Sequence, residues 1–303
     1  MIRLLTALPV LLVASACAQQ TPDASPPDAS ASTPATPASA TVPADGDGAP
    51  FGVVGYDLAR PAMTVELPST LDEVSGLAWR ADDRLAAVYD EDGVVFTLDP
   101  ETGAILGETR VAGEGDYEAV EVTPDALWVL RSDGTLHERP VGGGASADHR
   151  AALPRECDAE GLAYDPGLPG QAAAGDRLLI SCKEEPGEGL RRVRAIYAFD
   201  LASRTLAPAP VMQLARDAVD GEQNFKPSAM AVHPQTGQLY VLSSVRPALA
   251  VLGADGALVA LADLPAEIFP QPEGLAFAPD GTMYVTTEAD GDVARLARFD
   301  PQR

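Results

Sequence analysis

Five short phrases in the chain set a polar residue at the head of an apolar run: "DEVSGLAW" (72–79), "DYEAVEV" (116–122), "DAEGLAY" (158–164), "KPSAMAV" (226–232) and "PEGLAFA" (272–278). Their anchors read as Glu73, Glu118, Glu160, Ser228 and Glu273. A second set of charged residues follows the next apolar run of each unit: Asp90 with Glu91, Asp133, Glu184 with Glu185, and Glu288 with Asp290. Four glutamates brought around one axis would repel one another by about 3 kcal/mol per pair at ~6 Å and an effective dielectric of ~20. Such a group protonates or gathers around a cation. Oxygen donors with no His or Cys beside them select a hard cation, and Ca²⁺ suits carboxylate, carbonyl and water better than Zn²⁺ does. The competing reading is that each glutamate only caps a loop by accepting backbone N–H groups. For one glutamate that reading is the better one; for four related by a repeat, the cation site is.

The elements that must position these residues repeat at roughly 45-residue intervals, apart from one longer interval that holds an insertion within 183–220. Each unit opens with a readable pair of strands: "SGLAW" and "RLAAVYD", "AVEV" and "ALWVL", "GLAY" and "RLLISC", "SAMAV" and "QLYVLSS", "GLAFA" and "TMYVTTE". Turn formers such as "RADD", "HPQTG" and "PDG" stand between them, as in antiparallel hairpins. Third and fourth strands follow, and the pattern predicts an all-β, five-bladed β-propeller over residues 51–303. The last unit runs out after "VARLARFDP" and lacks a fourth strand, which the segment 56–68 can supply, closing the ring and removing a sheet edge. In such a ring the first strand lines the central channel. Its start then shares a face with the end of the second strand, so the two polar sets converge at one mouth.

The chain has 303 residues and a net charge of −24. A field of that sign repels nucleic acid and anionic lipid and attracts cations. Its lysines are Lys183 and Lys226, both expected on the acidic mouth, where they would temper the ring or meet an anionic ligand. The ligand-face candidates are therefore Asp90, Glu91, Lys183, Glu184, Lys226, Ser228 and Glu288. Residues 1–17, "MIRLLTALPVLLVASAC", read as an export signal ending in a lipoprotein-like box, with Cys17 the residue to be acylated. Residues 18–50 are rich in Pro, Ala, Ser and Thr, lack Lys and Arg, and read as a disordered tether. The expected location is the periplasm or the outer membrane, with secretion as the alternative and a lipid anchor as the sole membrane contact. Cys157 and Cys182 are an even pair in an exported chain, at neighbouring strand ends, and are disulfide candidates.

Taken in order, "LDEVSGLAW" with "YDEDGVVFTLD", "GDYEAVEV", "DAEGLAYDP" with "SCKEE", "KPSAMAVHPQTGQLYVLSS" and "PEGLAFAPDGTMYVTTE" resemble the SdiA-regulated family of exported bacterial β-propellers, itself similar to NHL-repeat proteins. The resemblance covers most of 60–300 and implies a five-bladed propeller with a bound calcium ion, carried here onto Glu73, Glu118, Glu160 and Glu273. Ala119 departs from the glycine usual at its position. The resemblance implies no particular reaction. Two functions fit: a calcium-bound envelope module, monomeric, that binds a small molecule or an envelope protein at its acidic mouth; or a metal-dependent hydrolase of the lactonase or phosphoesterase type. A third reading is a scaffold whose metal only pins the channel. His137, His149 and His233 fall off the acidic mouth, and no residue is singled out as catalytic, although Lys183, Glu184 and Glu288 are available to handle protons.

Overall fold

The computed structural model describes residues 52–53, 55–167, 176–289 and 291–302. The signal and tether expected over 1–50, with Cys17, lie outside the described residues, as does Asp290. Five antiparallel sheets form five blades. Blade one comprises Val74–Arg80, Arg84–Tyr89, Asp92–Leu98 and Ile105–Glu114. Blade two comprises Tyr117–Val122, Ala126–Arg131, Thr135–Pro140 and Ala147–Arg150. Blade four comprises Pro227–Val232, Leu239–Ser243, Ala248–Leu252 and Leu258–Asp263. In blade three, Ala159–Asp165, Arg177–Cys182 and Val193–Asp200 are followed by two short edge strands, Thr205–Leu206 and Met212–Ala215, which both pair with the third. The insertion read from the sequence is thus a loop after Cys182 and an extra piece of blade edge.

Blade five is built from Pro272–Phe277, Met283–Thr287 and Arg295–Phe299, and its fourth strand is Met63–Glu66, which pairs antiparallel with Arg295–Arg298. The expected five-bladed ring closed by an N-terminal strand is therefore borne out. Tyr56 and Leu58, just before the closing strand, are buried in the packing between blades four and five. No helix among the described residues is long and apolar enough to cross a membrane.

The core lies between blades rather than within them. Five clusters occupy the five interfaces, for example Leu77, Leu85 and Phe96 of blade one with Tyr284 and Leu296 of blade five. Because successive strand residues point to opposite faces, a blade packed between two neighbours must be apolar on both. That is why the middle strands read as unbroken runs: Ala248–Leu252 is buried at every position. The outermost strand of blade one, which faces solvent, alternates instead. Each first strand packs on the first strands of both neighbouring blades, closing the ring around the channel.

Candidate metal centre at the channel mouth

The pairing of first and second strands breaks register at the same place in every blade: between Val74 and Gly76, Tyr117 and Ala119, Ala159 and Leu162, Pro227 and Ala229, and Pro272 and Gly274. A β-bulge adds a residue opposite a single partner and re-aims its side chain, and bulges favour such functional rims. The bulged residues are Ser75, Glu118, Glu160, Ser228 and Glu273. Each is followed by glycine or alanine because the inner strands approach closely. A Cβ on Gly76 would stand 2.8 Å from the Ala119 Cα, and one on Gly274 2.9 Å from the Leu77 Cβ. At 119 it is the backbone that stands against Gly76, while the alanine methyl packs in the cluster between blades two and three.

This register corrects one sequence equivalence. Glu73 matches not Glu118 and Glu160 but the residues two places earlier, and Ser75 is the true counterpart. Glu73 is exposed outside the bulge ring. The ring thus holds three glutamates and two serines. Both serines are spoken for: Ser75 Oγ donates to the Glu73 carbonyl at 3.1 Å, and Ser228 Oγ to the Pro272 carbonyl at 2.8 Å, stitching blade four to blade five.

Among the described residues, one group of carboxylates converges as a metal site would: Glu118, Asp158 and Glu160, with one oxygen from each within 4.8 Å of the others. Two oxygens on one Ca²⁺ lie at most about 5 Å apart, given bonds of ~2.3–2.6 Å, so the spacing fits. Asp158 was not picked out from the sequence. Its signal is the spacing Asp-x-Glu, found in blades two and three as Asp116-x-Glu118 and Asp158-x-Glu160. Asp158 adopts a left-handed backbone (φ 53°), which Asp tolerates better than most residues. Asp116, its counterpart in blade two, is hydrogen-bonded by the Ser132 hydroxyl.

Around this triad the mouth is strongly polar. Lys183 Nζ bonds Glu160 Oε1 at 2.7 Å, leaving Glu160's second oxygen for a cation. Burial works against the Lys183 ammonium, but Glu160, Glu273 and Glu118 overcome it and hold the charge well above the ordinary lysine range. Burial pushes Glu118 up, and the charges of Glu160 and Asp116 push it further. Glu160 is also raised by burial, with Lys183 pulling back. Across the channel, burial and then the charges of Glu160 and Glu288 raise Glu273 to about 8. Glu288 sits just past the second strand of blade five, next to Glu73 and Asp90 across the blade boundary. Burial and those two charges push it up to about 7. Glu73, Glu288 and Gln271 line an open cavity of about 520 Å³ at this boundary.

The other candidates divide. Asp90 is at this mouth and partly buried, raised by burial, Glu73 and Glu91, while Glu91 points to a separate cleft beside Asp92 and Gly115. Lys226 and the exposed Glu184 pair with each other, so neither is a free charge. Asp133 turns outward, capping Thr135 N and pairing with Arg150 at 2.6 Å. His137, His149 and His233 bond Asp148, Glu138 and Tyr56 away from the mouth. Cys157 and Cys182 are disulfide-bonded.

Residues 150–290 match the model of the SdiA-regulated family, so the resemblance read from the sequence is borne out there. No curated protein matches the sequence. Among solved structures, the chain is similar to glutaminyl cyclase from Myxococcus xanthus, at 13% identity and a TM-score of 0.55, over 80% of this chain and 95% of that one. It is also similar to a gluconolactonase from Xanthomonas campestris, at 16% identity and a TM-score of 0.46, over 75% of this chain and 72% of that one. At 13% identity the likeness to the cyclase is one of fold.

Proposed function

We propose that the protein is a divalent-cation-binding propeller that takes calcium at Glu118, Asp158 and Glu160 and uses the occupied mouth to bind a ligand. The observation that carries this reading is the convergence of three carboxylates, two of them on β-bulges, with a single ammonium, Lys183 on Glu160, among them. Every available donor is oxygen, which suits calcium. With the ion bound, the mouth would present it beside Lys183, with Glu273 across the channel. That arrangement suits a small molecule or an envelope-protein segment with an oxygen-rich, partly anionic group. In the cell we place the propeller in the bacterial envelope, exported by residues 1–17 and held through Cys17.

Calcium titration calorimetry of the purified protein tests the reading, beside melting in calcium and in chelator. Saturable binding at about one ion per chain, lost in Glu118→Gln/Glu160→Gln, is expected; no heat and no melting shift would refute it. A second reading, metal-assisted hydrolysis, draws on Glu288 and Glu273, which titrate close to neutrality as a general base should. Calcium-dependent turnover of a lactone or phosphoester panel, abolished in Glu288→Gln, would favour it over simple binding.

A further inference from the structure

Blade three differs from the four other blades by a covalent link at the mouth. Cys157 and Cys182 stand immediately before Asp158 and Lys183, the bond is buried, and it spans 25 residues of sequence. Around it three backbone hydrogen bonds run between the two segments: Lys183 N to Asp158 O at 2.9 Å, Glu184 N to Cys157 O at 3.1 Å and Glu185 N to Glu156 O at 3.0 Å. The corresponding strand ends of the other blades, such as Val74 with Tyr89 or Pro227 with Ser243, carry no crosslink.

The staple is located where the pairing of first and second strands is interrupted for longest among the five blades. Asp158 and Glu160 lie on one bulged segment whose ladder is interrupted from Ala159 to Leu162. Asp158 also holds a left-handed backbone. Without a metal ion only the Lys183 ammonium offsets the repulsion among the carboxylates, and hydrogen bonds between two rim segments open readily on their own. A crosslink one residue from Asp158 and one from Lys183 opposes that splaying on both sides.

We propose that the Cys157–Cys182 disulfide is a positioning device of the cation site. It keeps Asp158 and the Lys183–Glu160 pair in binding geometry before the ion arrives, so the site's affinity depends on it. This rests on the cation reading above. Groups that orient metal ligands without touching the ion commonly change affinity by about 10–100-fold, and preorganisation strengthens binding by removing an ordering cost.

The test is calcium calorimetry on wild type, on Cys157→Ala/Cys182→Ala, and on Leu178→Ala, a fully buried core position near the other end of the same blade hairpin. Each is measured at a temperature where circular dichroism shows it folded. The cysteine pair should bind calcium about tenfold or more weakly, while Leu178→Ala stays within about twofold of wild type. Equal affinity in all three overturns the positioning role, and so does an equal loss in both variants, which would mark general destabilisation. A wild type that binds no calcium would instead overturn the cation reading itself, and this proposal with it. Should the alanine pair not fold in plain buffer, all three titrations are run in about 1 M trimethylamine N-oxide, an excluded osmolyte that favours the compact state.

Discussion

Where the inner strands begin, Glu118, Asp158, Glu160 and Glu273 crowd the channel; where they end, Leu77, Trp79, Val122, Val232 and Phe277 close an apolar cavity of about 260 Å³ whose one carboxylate is Glu121. Glu118 and Glu121 lie three residues apart on the same strand. Glu121 is a latch: its oxygens accept the Val122 and Tyr164 backbone N–H groups, each at 2.8 Å, tying blade two to blade three. Burial raises it to about 7, and those two bonds work against the rise. Glu118 faces Asp158 and Glu160 instead. The bulge makes the difference. A carboxylate on the regular part of the strand meets a neighbouring backbone, whereas one on the bulge is thrown among other carboxylates.

The sharpest way to break this comparison is to neutralise one mouth at a time. Glu118→Gln/Glu160→Gln should lower calcium affinity by at least about 100-fold, each coordinating charge being essential to a hard-cation site. Glu121→Gln should leave calcium affinity unchanged in the same calorimetry. It should lower stability by about 2 kcal/mol in urea unfolding, because its amide cannot accept both backbone N–H groups.

Acidity should weigh more on the crowded mouth than on the other, whose one raised carboxylate is Glu121. Glu273 and Glu288 have folded-state values above the ordinary carboxylate value, so the native chain binds more protons than the unfolded chain between about pH 4.5 and 8. Stability without calcium is therefore fully present below about pH 4.5 as far as these groups are concerned. It falls as pH rises towards 8, by several kcal/mol, each tenfold difference in proton affinity between the folded and unfolded chain being worth ~1.4 kcal/mol. Calcium should restore part of the loss at pH 8 and do little at pH 5, where Glu118, Glu160, Glu273 and Glu288 are already protonated. A melting temperature that rises with pH in chelator would contradict the crowding of this mouth.

The smallest effect is expected at Glu73. It is exposed and outside the bulge ring, so Glu73→Gln should change calcium affinity by less than about threefold, through long-range charge alone. A loss as large as that of Glu160→Gln would undo the strand register on which the two-mouth comparison stands.

Much of the fold was legible in the chain because it rests on local, repeated signals. Apolar runs such as "RLLISC" and "QLYVLSS" mark strands packed on both faces, and the missing last strand of the final unit calls for an N-terminal partner. Three of the mouth's glutamates were found for the same reason, as anchors of a repeat. Glu73 was matched to them because "DEVSG" and "DAEG" look alike, although Ser75 before Gly76 is what lines up with Glu160 before Gly161 and Glu273 before Gly274. Asp158 was overlooked, although Asp-x-Glu in two blades was there to be read. Glu121 is indistinguishable on paper from a site residue, since only the Tyr164 backbone across the blade boundary reveals its role.

By itself, then, the sequence determined the blade count, the strand order and the mouth at which the charges gather. These follow from hydrophobic period and turn chemistry within each unit. Which carboxylates meet was decided only in the folded ring, because Glu118 and Glu160 belong to different blades and come within 4.8 Å through inter-strand packing, bulge geometry and a disulfide-held rim. Those contacts join residues distant in the chain, and no local pattern encodes the distance between them.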